Sequence, residues 1–153
     1  GTRYNYSWTR EEGFRRGMAE AGLTVDPHLC IQDAVTAISG AAAARILLAL
    51  SDAPTAIIYA VDAAALGVWD IAKEADLRIG RDLSIVAYDG STEGAAASPS
   101  LASFAVNIRQ AGERLAHLLI RRIRGEDPTN LREIELAEFR PGGAIGPAPN
   151  LKT

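Results

Sequence analysis

The apolar positions of this chain fall into two kinds of run. "TAIIYAV" (55–61) and "LSIVAY" (83–88) are near-continuous and β-favouring, the pattern of strands covered on both faces. Before and between them, apolar residues recur at helical spacing. "TREEGFRRGMAEAG" predicts a first helix. Thr9 and Glu12 stand at capping-box spacing, Phe14, Met18 and Ala21 share a face, and Gly22 fits a left-handed stop. "HLCIQD" predicts a short strand over 29–32. Thr36 can cap a second helix whose Ile38, Ala42, Leu47 and Leu50 lean one way, and "SDAP" breaks it ahead of Pro54. Asp62 can cap a third helix over 63–75, with Leu66, Trp69 and Ala72 inward. Helices and strands thus alternate, which predicts an α/β fold: a parallel sheet with helices on both faces.

After Asp89 the pattern changes. "GSTEGAAASPS" is small and aperiodic, "LASFAV" is extended, and Asn107 can cap a long amphipathic helix over 108–124. "GEDPTN" ends that helix, "LREIELAEF" reads as a last strand, and "RPGGAIGPAPN" as a mobile tail. No repeat of fixed period occurs. The opening "GTRYNYSW" is a polar-aromatic loop, and no strand precedes the first helix. An α/β unit normally opens with a strand, so the chain reads as a fragment that starts just after one.

Composition narrows the class. The 153 residues are 48% hydrophobic, enough for one core and short for two complete domains. Sixteen basic and nineteen acidic side chains leave a net charge of −3, no footprint for nucleic acid or anionic lipid. No apolar stretch is long enough for a bilayer, and no secretion signal is visible at the start. Cys30 is the one cysteine, so no internal disulfide forms; a small buried hydrophobe in a reducing, cytoplasmic setting is expected.

Enzymatic signatures are missing. There is no phosphate loop, no Gly-x-Gly-x-x-Gly after a strand and no nucleophile elbow. His28 and His117 have no partner at metal-ligand spacing, so neither metal nor cofactor is expected. Arg114, Arg121, Arg122 and Arg124 suit a solvated face near a helix C-terminus. What remains is Arg10 in the first helix, Asp62 after one strand and Asp89 after the next. Neighbouring strand ends of a parallel sheet open onto one crevice, where an arginine fork and a carboxylate can grip a small polar ligand. An exposed helix residue, a helix cap and a turn former are the simpler readings of the three. Spacing alone does not choose.

Four segments, in this order and spacing, resemble the LacI/GalR family of bacterial transcriptional repressors. They are "R-x-x-G-F" at 10–14, "PTAIIYAVDAAALG" at 54–67, "DLSIVAYDG" at 82–90 and "SPSLASFAVNIRQAGERLAHLLIRRIRG" at 98–125. The resemblance implies a three-layer αβα, type I periplasmic-binding-protein-like module that binds a sugar-like effector and controls operator binding. Residues 1–104 would form its C-terminal subdomain, lacking a first strand. Residues 105–130 would be a crossover helix belonging to the N-terminal subdomain, and 131–153 a return strand and mobile tail. Operator DNA would be reached only through an amino-terminal headpiece absent from this chain.

Carried over position by position, the resemblance makes Arg10 and Asp89 the gripping pair of the ligand cleft, while Asp62 mainly caps its helix. Val61 stands where the family usually has asparagine, Ala34 where an aromatic often stacks on a sugar ring, and Val106 where a polar side chain is frequent. A smaller or less polar effector than a hexose is implied. Trp8, in the loop before Arg10, could reach the cleft. A homodimer is also implied, through Leu66, Trp69, Lys73, Gly94 and Ala95. The first strand would lie between 29–32 and 55–61, leaving a slot that chain closure, another chain or a longer polypeptide must fill. A periplasmic receptor shares this fold and is the alternative; an α/β enzyme would need a nucleophile–base pair that the sequence lacks.

Overall fold

The computed structural model describes residues 5–148. Its elements run α1 (Asn5–Glu20), α2 (Ala37–Leu48), β1 (Ala56–Ile58), α3 (Asp62–Ala65), α4 (Val68–Glu74), β2 (Ser84–Asp89), α5 (Thr92–Ala96), β3 (Ala102–Ala105), α6 (Ile108–Ile123) and β4 (Glu138–Arg140). The sheet order is β1-β2-β3-β4, with β1, β2 and β3 parallel and β4 antiparallel to β3. Among the described residues no strand pairs with the other edge of β1.

The two sheet faces differ. Leu83, Ile85 and Ala87 alternate onto one face, where α2, α3 and α4 bury them with Leu47, Ile57, Tyr59, Ala64, Val68 and Ile71. Val86 and Tyr88 point to the other, which is thinly covered: Ile58 and Phe104 are exposed there, and Phe104 packs on Phe139 at 5.0 Å between ring centroids. On the covered face the helices touch backbone to backbone. A Cβ on Gly40 would lie 2.0 Å from the Ala64 carbonyl oxygen, and one on Gly67 would lie 1.9 Å from that of Ala37. Glycine at both positions is what lets α2 lie directly on α3 and α4.

Several expectations are met locally. Thr36 caps α2 in a capping box with Ser39, Asn107 caps α6 through the Gln110 amide, and Gly22 takes a φ of 73° after α1. Others are corrected. α1 starts at Asn5, so Thr9 is inside it and its hydroxyl donates to the Tyr6 carbonyl instead of capping with Glu12. Residues 29–32 form no strand. Asp26 caps a 3-10 turn over Pro27–Leu29, and the segment beyond has no ladder partner among the described residues. In α2 the inward residues are Gly40, Ala43, Ala44 and Leu47, while Ile38 and Ala42, with Leu50 beyond the helix end, face outward.

The helix expected over 63–75 breaks at Leu66–Gly67 into α3 and α4. The last strand shrinks from nine residues to Glu138–Arg140. The tail is not loose where it is described. Ala144 is fully buried, its carbonyl accepts from the Ile85 amide at 2.8 Å and its own amide donates to Ser100 at 2.9 Å. Residues 149–153 lie outside the described residues. α6 stands apart from the core. It buries no residue, and Ile108, Leu115, Leu119 and Ile123 form an exposed apolar stripe along it.

Candidate functional site

β1 and β2 run parallel, so their carboxyl ends open side by side, and α1 crosses this end. Arg10 projects from the middle of α1. Its Nη1 donates to the Ala60 carbonyl just past β1, and its guanidinium lies 3.7 Å from the centroid of the Tyr88 ring in β2. Tyr6, one turn earlier, brings its ring to 4.8 Å on the same guanidinium. Two aromatic faces and a carbonyl thus fix the cation, and among the described residues no carboxylate is in direct contact with it.

Asp89 ends β2 at the same mouth, paired with Ala105 of β3. Burial pushes its carboxyl above the ordinary value. The Arg10 charge opposes that shift, the Asp62 charge adds to it, and the Asp62 backbone N–H favours the ionised form. Its backbone has a φ of 137°, a region that costs a non-glycine residue about 1–3 kcal/mol, and Gly90 follows at 72°. A Cβ on Gly90 would lie 2.3 Å from that of Ala105, so only glycine fits this turn.

Asp62 has a different place from the expected one. Val61 is the N-cap of α3, without a side-chain bond, and Asp62 is the first helical residue. Its carboxylate is 1% exposed and turns away from the helix. It accepts from the Ser91 amide at 2.7 Å, the Ser91 hydroxyl at 2.8 Å and the Ser103 hydroxyl at 2.6 Å. Ser103 in turn accepts from the Gly90 amide at 3.1 Å, and Ser91 caps α5 by accepting from Gly94 at 3.1 Å. So this carboxylate ties together α3, β3 and the loop after β2. Ser91 and Ser103, like Tyr6 and Tyr88, were not singled out by the sequence reading.

Of the other expected contacts, Ala34 and Val61 are half-buried against the core, and Val106 is half-buried just past β3. None of the three brings a polar side chain. Trp8 is in α1, not in a loop, and 57% exposed; two residues from Arg10, it lies on another face of the helix. Among the expected interface residues, Leu66 and Trp69 are half-buried, and Lys73 and Ala95 are exposed. Gly94 is buried beneath its own chain, facing Leu101 and Asp62, and offers no surface. The Trp69 indole donates to the Ser98 carbonyl at 3.2 Å. An open groove of about 390 Å³ runs beside Trp69, Lys73 and Pro99, lined by none of the strand-end residues. Among the described residues no group of three potential ligands could hold a metal ion. None of their helices is long and apolar enough to cross a membrane.

A parallel sheet with an arginine and a carboxylate at neighbouring strand ends is the binding architecture of open α/β proteins. The chain belongs to the family of periplasmic-binding-protein-like domains, which matches residues 2–143. Within it, the similarity is to the effector-binding domains of LacI-type transcriptional regulators. The chain is 31% identical over 119 residues to the HTH-type transcriptional repressor PurR of Haemophilus influenzae (strain PittEE), a match covering 78% of this chain and 35% of that repressor. A solved LacI family transcriptional regulator from Bifidobacterium animalis superposes with a TM-score of 0.84 at 30% identity, over 97% of this chain and 53% of that one. Another, from Mycobacterium smegmatis, superposes at 0.83 and 25% identity, over 96% of this chain and 55% of that one. The chain therefore spans about a third of that repressor's length and about half of these two solved chains. These relatives are regulators, neither enzymes nor transport receptors, so the periplasmic alternative is not favoured.

Proposed function

We propose that Arg10 and Asp89 bind a small polar effector, and that occupancy of this site sets operator affinity in the whole regulator. One observation carries the reading. The Arg10 guanidinium stacks on Tyr88, the residue before Asp89, at the carboxyl ends of adjacent parallel strands; both charged groups are partly buried, and the Arg10 charge is felt at the Asp89 carboxyl. Arg10 offers its remaining N–H groups and Asp89 accepts, the complement of a ligand with one acceptor and one hydroxyl or N–H donor. The surrounding Ala34, Val61 and Val106 favour an effector smaller or less polar than a hexose. The regulators that the chain resembles support a site that binds rather than catalyses.

The remaining parts follow from the same reading. The exposed stripe of α6 is the face that packs on the other subdomain of the module, with residues 105–130 assigned to that subdomain. Operator DNA is bound by a headpiece outside this chain, in the cytoplasm. Homodimerisation uses Leu66, Trp69, Lys73 and Ala95; the outward Ile38 of α2, 85% exposed beside Leu66–Gly67, supports an apolar contact there.

A thermal-shift screen of sugars, sugar acids and nucleosides tests the site. A ligand at a hundred times its Kd stabilises the native state by about 2.7 kcal/mol. Arg10→Ala and Asp89→Asn should each weaken a hit, the latter by about 1.5–3 kcal/mol for a charged hydrogen bond. A hit that binds both variants as it binds the unaltered chain defeats the assignment.

A further inference from the structure

We propose that Asp62 is the positioning residue of the strand-end site, holding Asp89 in its strained conformation from behind while making no contact with the effector. The inference rests on the Arg10–Asp89 reading above. Left to itself, a non-glycine residue at a φ of 137° relaxes toward an extended or helical backbone. Something must over-determine it, and the bonds to the Asp62 carboxylate do so. The Asp62 carboxylate holds the Ser91 amide and hydroxyl. Through Ser103 it also holds the Gly90 amide. The two residues after Asp89 are therefore fixed to a buried anion, and the residue before them must turn sharply to meet it.

The geometry explains why an aspartate rather than a cap occupies this position. A carboxylate accepts on both oxygens, and here one oxygen takes Ser91 and the other takes Ser103. An amide of the same shape offers one acceptor oxygen and would aim an N–H₂ group at a hydroxyl already used as a donor. Asp62 thus acts on the ligand only through the direction it gives to Asp89.

The test needs no effector. In the 153-residue chain, NMR reports the coupling between the amide and α protons of Asp89, small at a φ of 137° and large in an extended strand. Hydrogen exchange reports the Gly90 and Ser91 amides, with Ile85 in the core as the reference. Asp62→Asn and Ser91→Ala should each raise the Asp89 coupling and speed Gly90 and Ser91 exchange about tenfold or more, with Ile85 unchanged. Ser91→Thr keeps the hydroxyl and should restore both signals. Unchanged coupling and exchange in a folded Asp62→Asn chain overturn the proposal. So does an equal loss of protection at Ile85, which would make Asp62 a residue of general stability. If Asp62→Asn does not fold, the Ser91→Ala and Ser91→Thr pair decides on the same signals. The Proposed function fails separately, if a ligand is found that ignores Arg10 and Asp89.

Discussion

Replacing Tyr59 by phenylalanine removes one hydroxyl from the core and nothing else. That hydroxyl, just past β1, donates to the Gly40 carbonyl of α2 at 2.9 Å, across the same contact where Gly40 lies on Ala64. Gly40 is inside α2, so its carbonyl keeps the helical N–H four residues on and is not orphaned by the change. The loss is then one net hydrogen bond, about 1 kcal/mol, rather than a buried unsatisfied acceptor. For a chain of this size that lowers the melting temperature by about 2–4 °C. Tyr59→Ala would instead open a cavity and cost about 3–5 kcal/mol.

The hydroxyl also carries a pH signature. Burial pushes the Tyr59 pKa from 10.0 to about 12. The folded state therefore holds its proton where the unfolded chain has lost it. That stability is fully present below pH 10 and declines as the pH rises through 12. Urea unfolding at pH 7 and across pH 9–12 reads both effects, with an unchanged dependence on denaturant expected for Tyr59→Phe. The reasoning is refuted if Tyr59→Phe matches the parent at pH 7, if it loses more than about 3 kcal/mol, or if its alkaline decline is as steep.

The close crossing of α2 predicts that Gly67→Ala, whose Cβ meets a backbone oxygen at 1.9 Å, destabilises by about 1–3 kcal/mol or more, measured by urea midpoint. Gly13→Ala, in open space inside α1, should instead stabilise by about 0.5–1 kcal/mol in the same assay. Asp89→Asn should raise the melting temperature of the unliganded chain at neutral pH. The carboxyl's folded pKa is raised, so its contribution is present at low pH and lost as the pH rises through that value. The advantage of the variant should shrink below the ordinary aspartate pKa, and a neutral-pH melting temperature at or below the parent's would contradict a burial cost on the ionised carboxylate.

Much of the fold could be read from local chemistry. "TAIIYAV" and "LSIVAY" contain β1 and β2 because β-favouring runs of that kind fit a strand, although only one of their two faces is covered, and Thr36 and Asn107 cap because their partners are three residues away. The strand-end rule made Arg10 and Asp89 candidates and the family resemblance paired them, but neither pointed to Tyr88 under the guanidinium. The role of Asp62 was hidden because its partners lie 29 and 41 residues downstream, beyond any spacing argument. The face of α2 was misread because an alanine-rich helix has apolar residues all round. What sets its phase is a glycine's fit against Ala64, not hydrophobicity. The Pro/Gly segment after Arg140 looked like coil for the same reason: its glycines allow close backbone approach, as at Gly142 and Gly146, where a Cβ would strike Ser100 and Gly80.

That segment has a consequence for how the chain is made. The Ile85 amide of the central strand donates to the Ala144 carbonyl, and the Ser84 hydroxyl accepts from the Gly146 amide at 3.2 Å. During synthesis, β2 emerges from the ribosome long before the residues that complete its hydrogen bonding. Until they arrive, the strand offers a half-finished edge beside the apolar socket that Ala144 later plugs. An early stop or a fusion joint placed at Arg140 would leave the Ile85 amide without this acceptor and the socket under β2 open.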